Sequence, residues 1–293
     1  MQHDGQLLEG SIMKAVVTLR PSESKRLIAI AVAEMDIVRT AWEKAYVLIA
    51  DGTTNAFIKQ ELMGDRSLEA GSSTIGQSIA GLLCVNIPKN RAPYASVFYK
   101  GKPLKERSFA EALADYHRET VVIKGANAVD PDGNVGIITT GFDGGTIPRI
   151  IGPVTSKGTA FITPVGLEKL IPSVPDAAKA FNGAQNIDIT MGAAGGMFVL
   201  TNTTVITEIE AARILFGIDG TLVAAGGIGG NEGSVTIAYE GSDDAIETFV
   251  AFLEKKVKGE PAIEGIKGDC RTCRYKDCKY CGLDDSELPE WMK

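Results

Sequence analysis

Four of the five cysteines fall in GDCRTCRYKDCKYCG, as Cys270, Cys273, Cys278 and Cys281, in the spacing C-x2-C-x4-C-x2-C. Each C-x2-C turn brings two thiolates to one point, and two such turns supply a tetrahedral four-sulfur set. Structural zinc is the first reading. Four thiolates serve an iron–sulfur cluster equally well. A redox disulfide pair and an unliganded tail are the remaining readings. Arg271, Arg274, Lys276 and Lys279 make this stretch basic within an acidic chain. They would offset the charge that four thiolates carry beyond one zinc ion, or serve a contact with a protein partner. Cys84 lies apart, in the apolar run SIAGLLCVNIP, and reads as a buried, inert thiol because nothing basic flanks it. The chain has only two histidines, His3 and His117, and both read as surface residues. A Ser-His-Asp or Cys-His mechanism is therefore not expected, and acid–base chemistry falls to carboxylates, lysines, tyrosines or Cys84.

Two further stretches have the composition of a binding site. Residues 121–146, VVIKGANAVDPDGNVGIITTGFDGGT, open as a β-branched run that reads as a buried strand. Asp130-Pro131-Asp132-Gly133 then makes a turn, a second strand follows at 135–140, and the loop after it carries Gly141, Gly144 and Gly145. Backbone this bare lets a ligand approach closely. The other stretch is 51–55, DGTTN, between an apolar run at 45–50 and the helical AFIKQELM that ends at Gly64. The amides at the start of that helix, with the Thr53 and Thr54 hydroxyls, make an anion cradle; alternatively the threonines and Asn55 only cap the helix.

These residues need a frame, and the pattern along the chain predicts one. A helix capped by Ser22 is expected over 22–44, with Leu27, Ile28, Ala31, Met35, Val38 and Trp42 as its core stripe. Strands are expected at 45–50, 78–88, 95–100, 121–123, 135–140, 158–165, 186–190, 197–203, 221–225 and 234–239. Helices are expected at 56–63, 108–119 (Phe109, Leu113 and Tyr116 on one face), 207–216 and 242–258, with short helical turns between 166 and 183. The cluster Gly192-Ala193-Ala194-Gly195-Gly196 precedes a strand rather than a helix, so it is not a dinucleotide fingerprint. The loop 226–233, GGIGGNEG, reads as a hairpin connection or a second place of close ligand approach. Alternating strands and helices imply an α/β fold: a mostly parallel sheet covered by helices on both faces, a smaller α/β C-terminal part and a short metal-binding tail. The boundaries expected are 1–200, 201–260, and 261–293 for a linker with the cysteine tail.

A net charge of −7 argues against a general nucleic-acid binder, because neutralising phosphates needs a basic face. No apolar run approaches the roughly 20 residues of a spanning helix. The start, MQHDGQLLEG, has no basic stretch leading into an apolar core, so a cytoplasmic, reducing location is expected. A homo-oligomer is compatible with this composition.

ADGTTNAFIKQEL and VVIKGANAVDPDGNV together resemble a superfamily that contains ribose-5-phosphate isomerase A, glucosamine-6-phosphate deaminase, the CoA transferases and the lactate-utilisation type of domain. In it a strand ends in a Gly/Ser/Thr turn that binds an anion, and a later strand ends in G-A-[DN]-x-[VI] before a D-G turn. GLEKLIPSVPDAA is similar to a segment of the lactate-utilisation group. The chain departs from the isomerase, having Lys124, Asn127 and Ala128 where catalytic acids would fall, and it lacks the glutamate-bearing motif of the CoA transferases. The resemblance implies a fold and an anion site rather than a reaction. Gly52, Thr53 and Thr54 would contact the anion, Asn127 would orient a ligand oxygen, and Asp143, Gly144 and Gly145 would line the opposite wall. Lys124 would be an electrostatic partner or a base, or else a solvated lysine at a strand end. The function expected is a binder of, or enzyme acting on, a small anionic metabolite: a sugar phosphate, an acyl-CoA or a related molecule. The alternative is a non-catalytic sensor, assembly or electron-transfer protein that uses the cysteine cluster.

Overall fold

A computed structural model describes residues 12–86, 91–92, 94–115 and 117–292. His3, Tyr116 and the end of the run expected as a strand at 78–88 lie outside the described residues. The centre is a six-stranded sheet. β2 (Tyr46–Ile49), β7 (Val121–Ile123), β10 (Ala160–Pro164) and β12 (Thr204–Ile206) run parallel in the order β12-β10-β7-β2. β5 (Val97–Tyr99) and β6 (Lys102–Pro103) extend it in antiparallel fashion beyond β2.

Strand alternation divides the interior in two. Val47, Ile49, Val121, Ile123 and Ile162 enter one core. That core is completed by α1 (Pro21–Glu34), α2 (Asp36–Lys44), α3 (Thr53–Met63), α7 (Glu208–Phe216), α8 (Asp243–Lys256) and an antiparallel sheet of β1 (Ile12–Leu19), β14 (Ser234–Ser242) and β13 (Asp219–Gly226). Tyr46, Leu48, Val122 and Phe161 enter the other core. There they meet α4 (Phe109–Ala114), α5 (Ile147–Lys157) and a sheet of β8 (Ala128–Val129), β9 (Val135–Thr139) and β11 (Gly196–Leu200). The first core draws on residues from Leu19 to Val257.

The α/β class with both sheet faces covered is thus present, but the strands are mixed rather than mostly parallel. Tight turns account for two of the antiparallel pairs, while β1 with β14, β9 with β11 and β2 with β5 pair antiparallel across long stretches of chain. Ala80 (φ 48°) and Gly81 (φ 69°) fold the run expected as one strand into a hairpin of β3 (Gly76–Ile79) and β4 (Leu82–Val85). Lys100 (φ 49°) and Gly101 (φ 72°) do the same between β5 and β6. Positive φ at both central residues is the geometry whose twist matches antiparallel strands. The helix expected over 22–44 breaks at Met35 (ψ 131°), and its first residue is Pro21, not a residue capped by Ser22. Residues 186–190 form no strand, apart from a single bridge from Thr190 to Cys278. β1 and α5 lie where no element was expected.

The stretch read as a linker lies against the body. Gln77 donates to the Ile266 carbonyl, and a side chain on Gly71 would come within 1.9 Å of the Glu264 carbonyl oxygen. Its course begins at Arg26 of α1, which is 1% exposed. The guanidinium donates to both Glu260 oxygens (2.9 and 3.0 Å), to Glu61 Oε1 (2.5 Å) and to Gln60 Oε1 (2.6 Å), and lies 4.3 Å from the Phe57 ring centre.

Removing one member of a buried ion pair strands the others, at a cost of roughly 3–5 kcal/mol. Arg26→Ala is expected to lower the unfolding free energy by about that amount in urea titrations. Arg39→Ala, which breaks the exposed pair with Glu34, is expected to shift the midpoint little.

Candidate functional site

β2 and β7 end side by side, and the chain leaving each turns around a cavity of about 870 Å³. This is where open parallel sheets present ligands to the following loops. After β2, the Ala50 amide donates to the Ile123 carbonyl (3.0 Å) and Gly52 donates to the Ser73 carbonyl (2.9 Å), so the turn is held from both sides. Gly52 takes φ 149°, a conformation that suits glycine, and α3 starts at the next residue. The Asn55 side-chain amide donates to the Ala50 carbonyl (2.9 Å), which fixes its orientation. Its Oδ1 then has no hydrogen-bond partner, although the residue is 0% exposed. A Cβ on Gly125 would lie 3.7 Å from that oxygen. Gly125 and Asn55 both line the cavity.

The first turns of three helices reach the same space: Pro21, Ser22 and Lys25 from α1, Thr53 to Asn55 from α3, and Gly144 to Ile147 leading into α5. Each presents the positive end of a helix dipole and amides that have no partner within the helix. Three lysines line this space, Lys25, Lys124 and Lys169, and Lys59 lies beside Asp51. Asp51 lies 3.6 Å from Lys59 Nζ, beyond hydrogen-bonding distance, and also acts on Lys124. Glu168 pairs with Lys25 at 2.5 Å and acts on Lys169, whose Nζ donates to the Ala126 carbonyl at 2.9 Å. Burial pushes the Lys124 ammonium down to about 8, against the opposing pull of Asp51. Lys169 also falls to about 8, through burial first and the neighbouring Lys25 second, with Glu168 and Glu208 opposing. Burial also lowers Lys59.

Of the residues expected to form the site, Gly52, Thr53, Thr54, Lys124, Asn127, Gly144 and Gly145 line this one cavity. Asp143 does not line it. Its carboxylate turns away to accept from the Gly145 amide (3.0 Å) and the Arg149 guanidinium (2.6 Å), so it shapes the glycine loop instead. Asn127 accepts from the Ile138 amide (2.9 Å) with its Oδ1, which leaves only its NH2 to offer to the cavity. The loop 226–233 joins β13 to β14 and also brings Gly230 and Glu232 to the cavity rim. Lys25, Glu168 and Lys169 are not singled out by the sequence, and Asn55 is named there only as a helix cap. For Glu168 and Lys169 the signal was there, in the G-L-E-K that follows a strand; for Lys25 there was none, because its place depends on how α1 packs.

The two C-x2-C turns of the tail close on each other. Cys273 donates its amide to the Cys270 carbonyl (3.2 Å), Cys281 to that of Cys278 (3.0 Å), and Gly282 to that of Cys270 (2.8 Å). All four thiols are half-buried and none is in a disulfide. Among the described residues, however, no group of three or more His, Cys, Asp or Glu side chains is disposed to hold a metal ion. The tail is thus not a ready-made metal knuckle. One reason is visible in the side chains: Cys281 Sγ donates to the Cys273 carbonyl at 3.3 Å. Cys84 is not isolated either. It is half-buried, and burial followed by Cys270, Cys278 and Cys273 pushes its thiol up to about 11.

Among the described residues no helix is long and apolar enough to cross a membrane. No protein-family model, no curated protein and no solved structure matches the chain.

The lysines give the cavity a pH dependence with a defined sign. Lys124 and Lys169 are charged below about 8 and lose that charge as pH rises through it. Sulfate, whose own charge is constant here, is expected to lose affinity by about tenfold or more between neutral pH and a pH well above 8, read by calorimetry. Lys124→Met should remove part of that slope. Stability should move the other way. Below about 8 the penalty of the buried ammonium is fully present, and it is relieved up to 10.5, the ordinary value at which the unfolded chain also loses its proton.

Proposed function

We propose that this chain binds a small anionic metabolite, a phosphorylated sugar, an acyl-CoA or a related molecule, in the cavity at the carboxyl ends of β2 and β7. The observation that carries this reading is the convergence of the α1, α3 and α5 N-termini with Lys25, Lys124 and Lys169 on one cavity of about 870 Å³. That volume suits a metabolite. The charge pattern suits an anion, because amides, dipoles and ammonium groups all favour negative charge there. The motifs at 51–55 and 125–134 that resemble the ribose-5-phosphate isomerase A superfamily point the same way.

In this reading Thr53 and Thr54 hold the anionic group with the amides of the α3 first turn. The Asn55 side chain, bonded to the Ala50 carbonyl, holds the turn that presents these groups. The Asn127 NH2 donates from the β7 side. Lys124 has the property required of an acid–base group, since an ammonium lowered to about 8 releases its proton near neutral pH. If the ligand is turned over, Lys124 is the group that moves the proton. The tail cysteines, as a sulfur-only donor set, suit zinc, with an iron–sulfur cluster as the other assignment.

A thermal-shift screen of sugar phosphates and CoA esters is the test. A true ligand at a hundred times its dissociation constant stabilises the fold by roughly 2.7 kcal/mol. Thr54→Ala and Lys124→Met are each expected to weaken the best ligand about tenfold or more. A screen in which no anion raises the transition would overturn the reading.

A further inference from the structure

The cavity has two unlike walls. Residues from 51–55, 124–127 and 144–147 give it a polar end, and the β3–β4 hairpin forms the wall beside it. The join is direct. The Ser73 carbonyl that accepts from the Gly52 amide (2.9 Å) belongs to the segment that runs on through Thr74 and Ile75 into β3. An anion at the start of α3 therefore has this hairpin next to it.

The register of the hairpin decides which side chains face the cavity. Gly76 stands opposite Val85 and Ser78 opposite Leu83, so these four share one side of the pair. All four line the cavity. Leu82 and Cys84 belong to the other side and pack with Tyr280, Leu288 and Met292. On the cavity side, then, two branched apolar side chains face a glycine and a serine, and the cross-strand partners that would cover them are missing. Leu83 and Val85 are only half-buried, and Ile75, at the entry to the hairpin, is 37% exposed. Nothing lies within 4 Å of where a Cβ on Gly76 would stand. The backbone there does not take a positive φ, so its conformation does not require glycine. What Gly76 provides is space. Apolar surface left open inside a cavity is stabilised by apolar ligand atoms that displace water from it.

We propose that the ligand is an anion bearing an alkyl or acyl chain, and that the chain lies over Leu83 and Val85 in the trough left by Gly76 and Ser78. This placement rests on the anion reading of the cavity and narrows it, away from a bare sugar phosphate and toward an acyl ester. The pairs from Gly76–Val85 to Ile79–Leu82 extend for about 10 Å at roughly 3.3 Å per residue, enough for a chain of several carbons. Ile263 and Tyr275, from the chain beyond α8, reach the same cavity.

Calorimetry with alkyl phosphates from methyl to octyl, each kept monomeric, is the test. Each added methylene is expected to tighten binding about two- to fourfold until the trough is filled. Gly76→Leu puts a side chain into the trough, and Leu83→Ala removes part of its floor. Each is expected to reduce the ratio of octyl to methyl affinity, by about tenfold or more for Gly76→Leu. Thr54→Ala should weaken every member by a similar factor and leave that ratio intact. Circular dichroism confirms that each variant is folded. A wild-type series that binds with no gain along the chain overturns the proposal and leaves the anion reading standing. A gain that survives in both hairpin variants also overturns it, because the chain then lies elsewhere. If no member of the series binds, the anion reading falls and this placement with it.

Discussion

The buried guanidinium of Arg26 ties together the parts on which the cavity depends. It bonds α1 to Gln60 and Glu61 of α3 and to Glu260 beyond α8. A charge so enclosed must be satisfied on every side, and the geometry allows few ways to do it. Its partners therefore set where α1 and α3 lie relative to one another, and so where their N-termini point. Around it, Ser22 and Arg20 donate to the Glu260 carbonyl, and Glu23 accepts from Gly259 and Lys258. The chain after α8 is thereby delivered to the start of α1, next to the cavity, and runs on past Gly71.

The cavity shows the opposite electrostatic design. Arg26 is matched by carboxylates, whereas the cavity is lined by Arg20, Lys25, Arg91, Lys124 and Lys169 against Asp51, Glu168 and Glu232, with Glu208 also acting on Lys169. Three helix N-termini add partial positive charge. Burial lowers the Lys124 and Lys169 ammonium groups, and only at Lys169 does a neighbouring ammonium, that of Lys25, add to it. An arriving anion would relieve it.

The glycine loop at 141–145 reads as a place of close ligand approach and the cluster at 192–196 only as no dinucleotide fingerprint, and the structure shows backbone crowding of two kinds. At Gly52, Gly144 and Gly145 the neighbouring space is the cavity. At Gly192 and Gly195 it is the chain's own backbone, with the Leu83 and Thr139 carbonyl oxygens 2.5 and 2.3 Å from where a Cβ would lie. Composition reports that a side chain is excluded. It does not report what excludes it, because that neighbour is distant in sequence.

What the sequence determined by itself was local. The apolar runs of β2 and β7, a helix between Asn55 and Gly64, the turn at Asp130-Pro131-Asp132-Gly133 and the pairing of Cys270 with Cys273 and Cys278 with Cys281 all follow from neighbours in the chain. Even there, Ala80-Gly81 and the break at Met35 escaped, because both depend on a backbone angle that the residue types permit but do not require. Only the tertiary structure decided that the parallel strands are flanked by antiparallel ones, that Asp143 turns from the cavity while Lys25 and Lys169 enter it, and that Cys84 joins the tail thiols. Each of these is a meeting of segments far apart in sequence. Such meetings are set by packing and by the need to satisfy buried charge, neither of which a local pattern encodes.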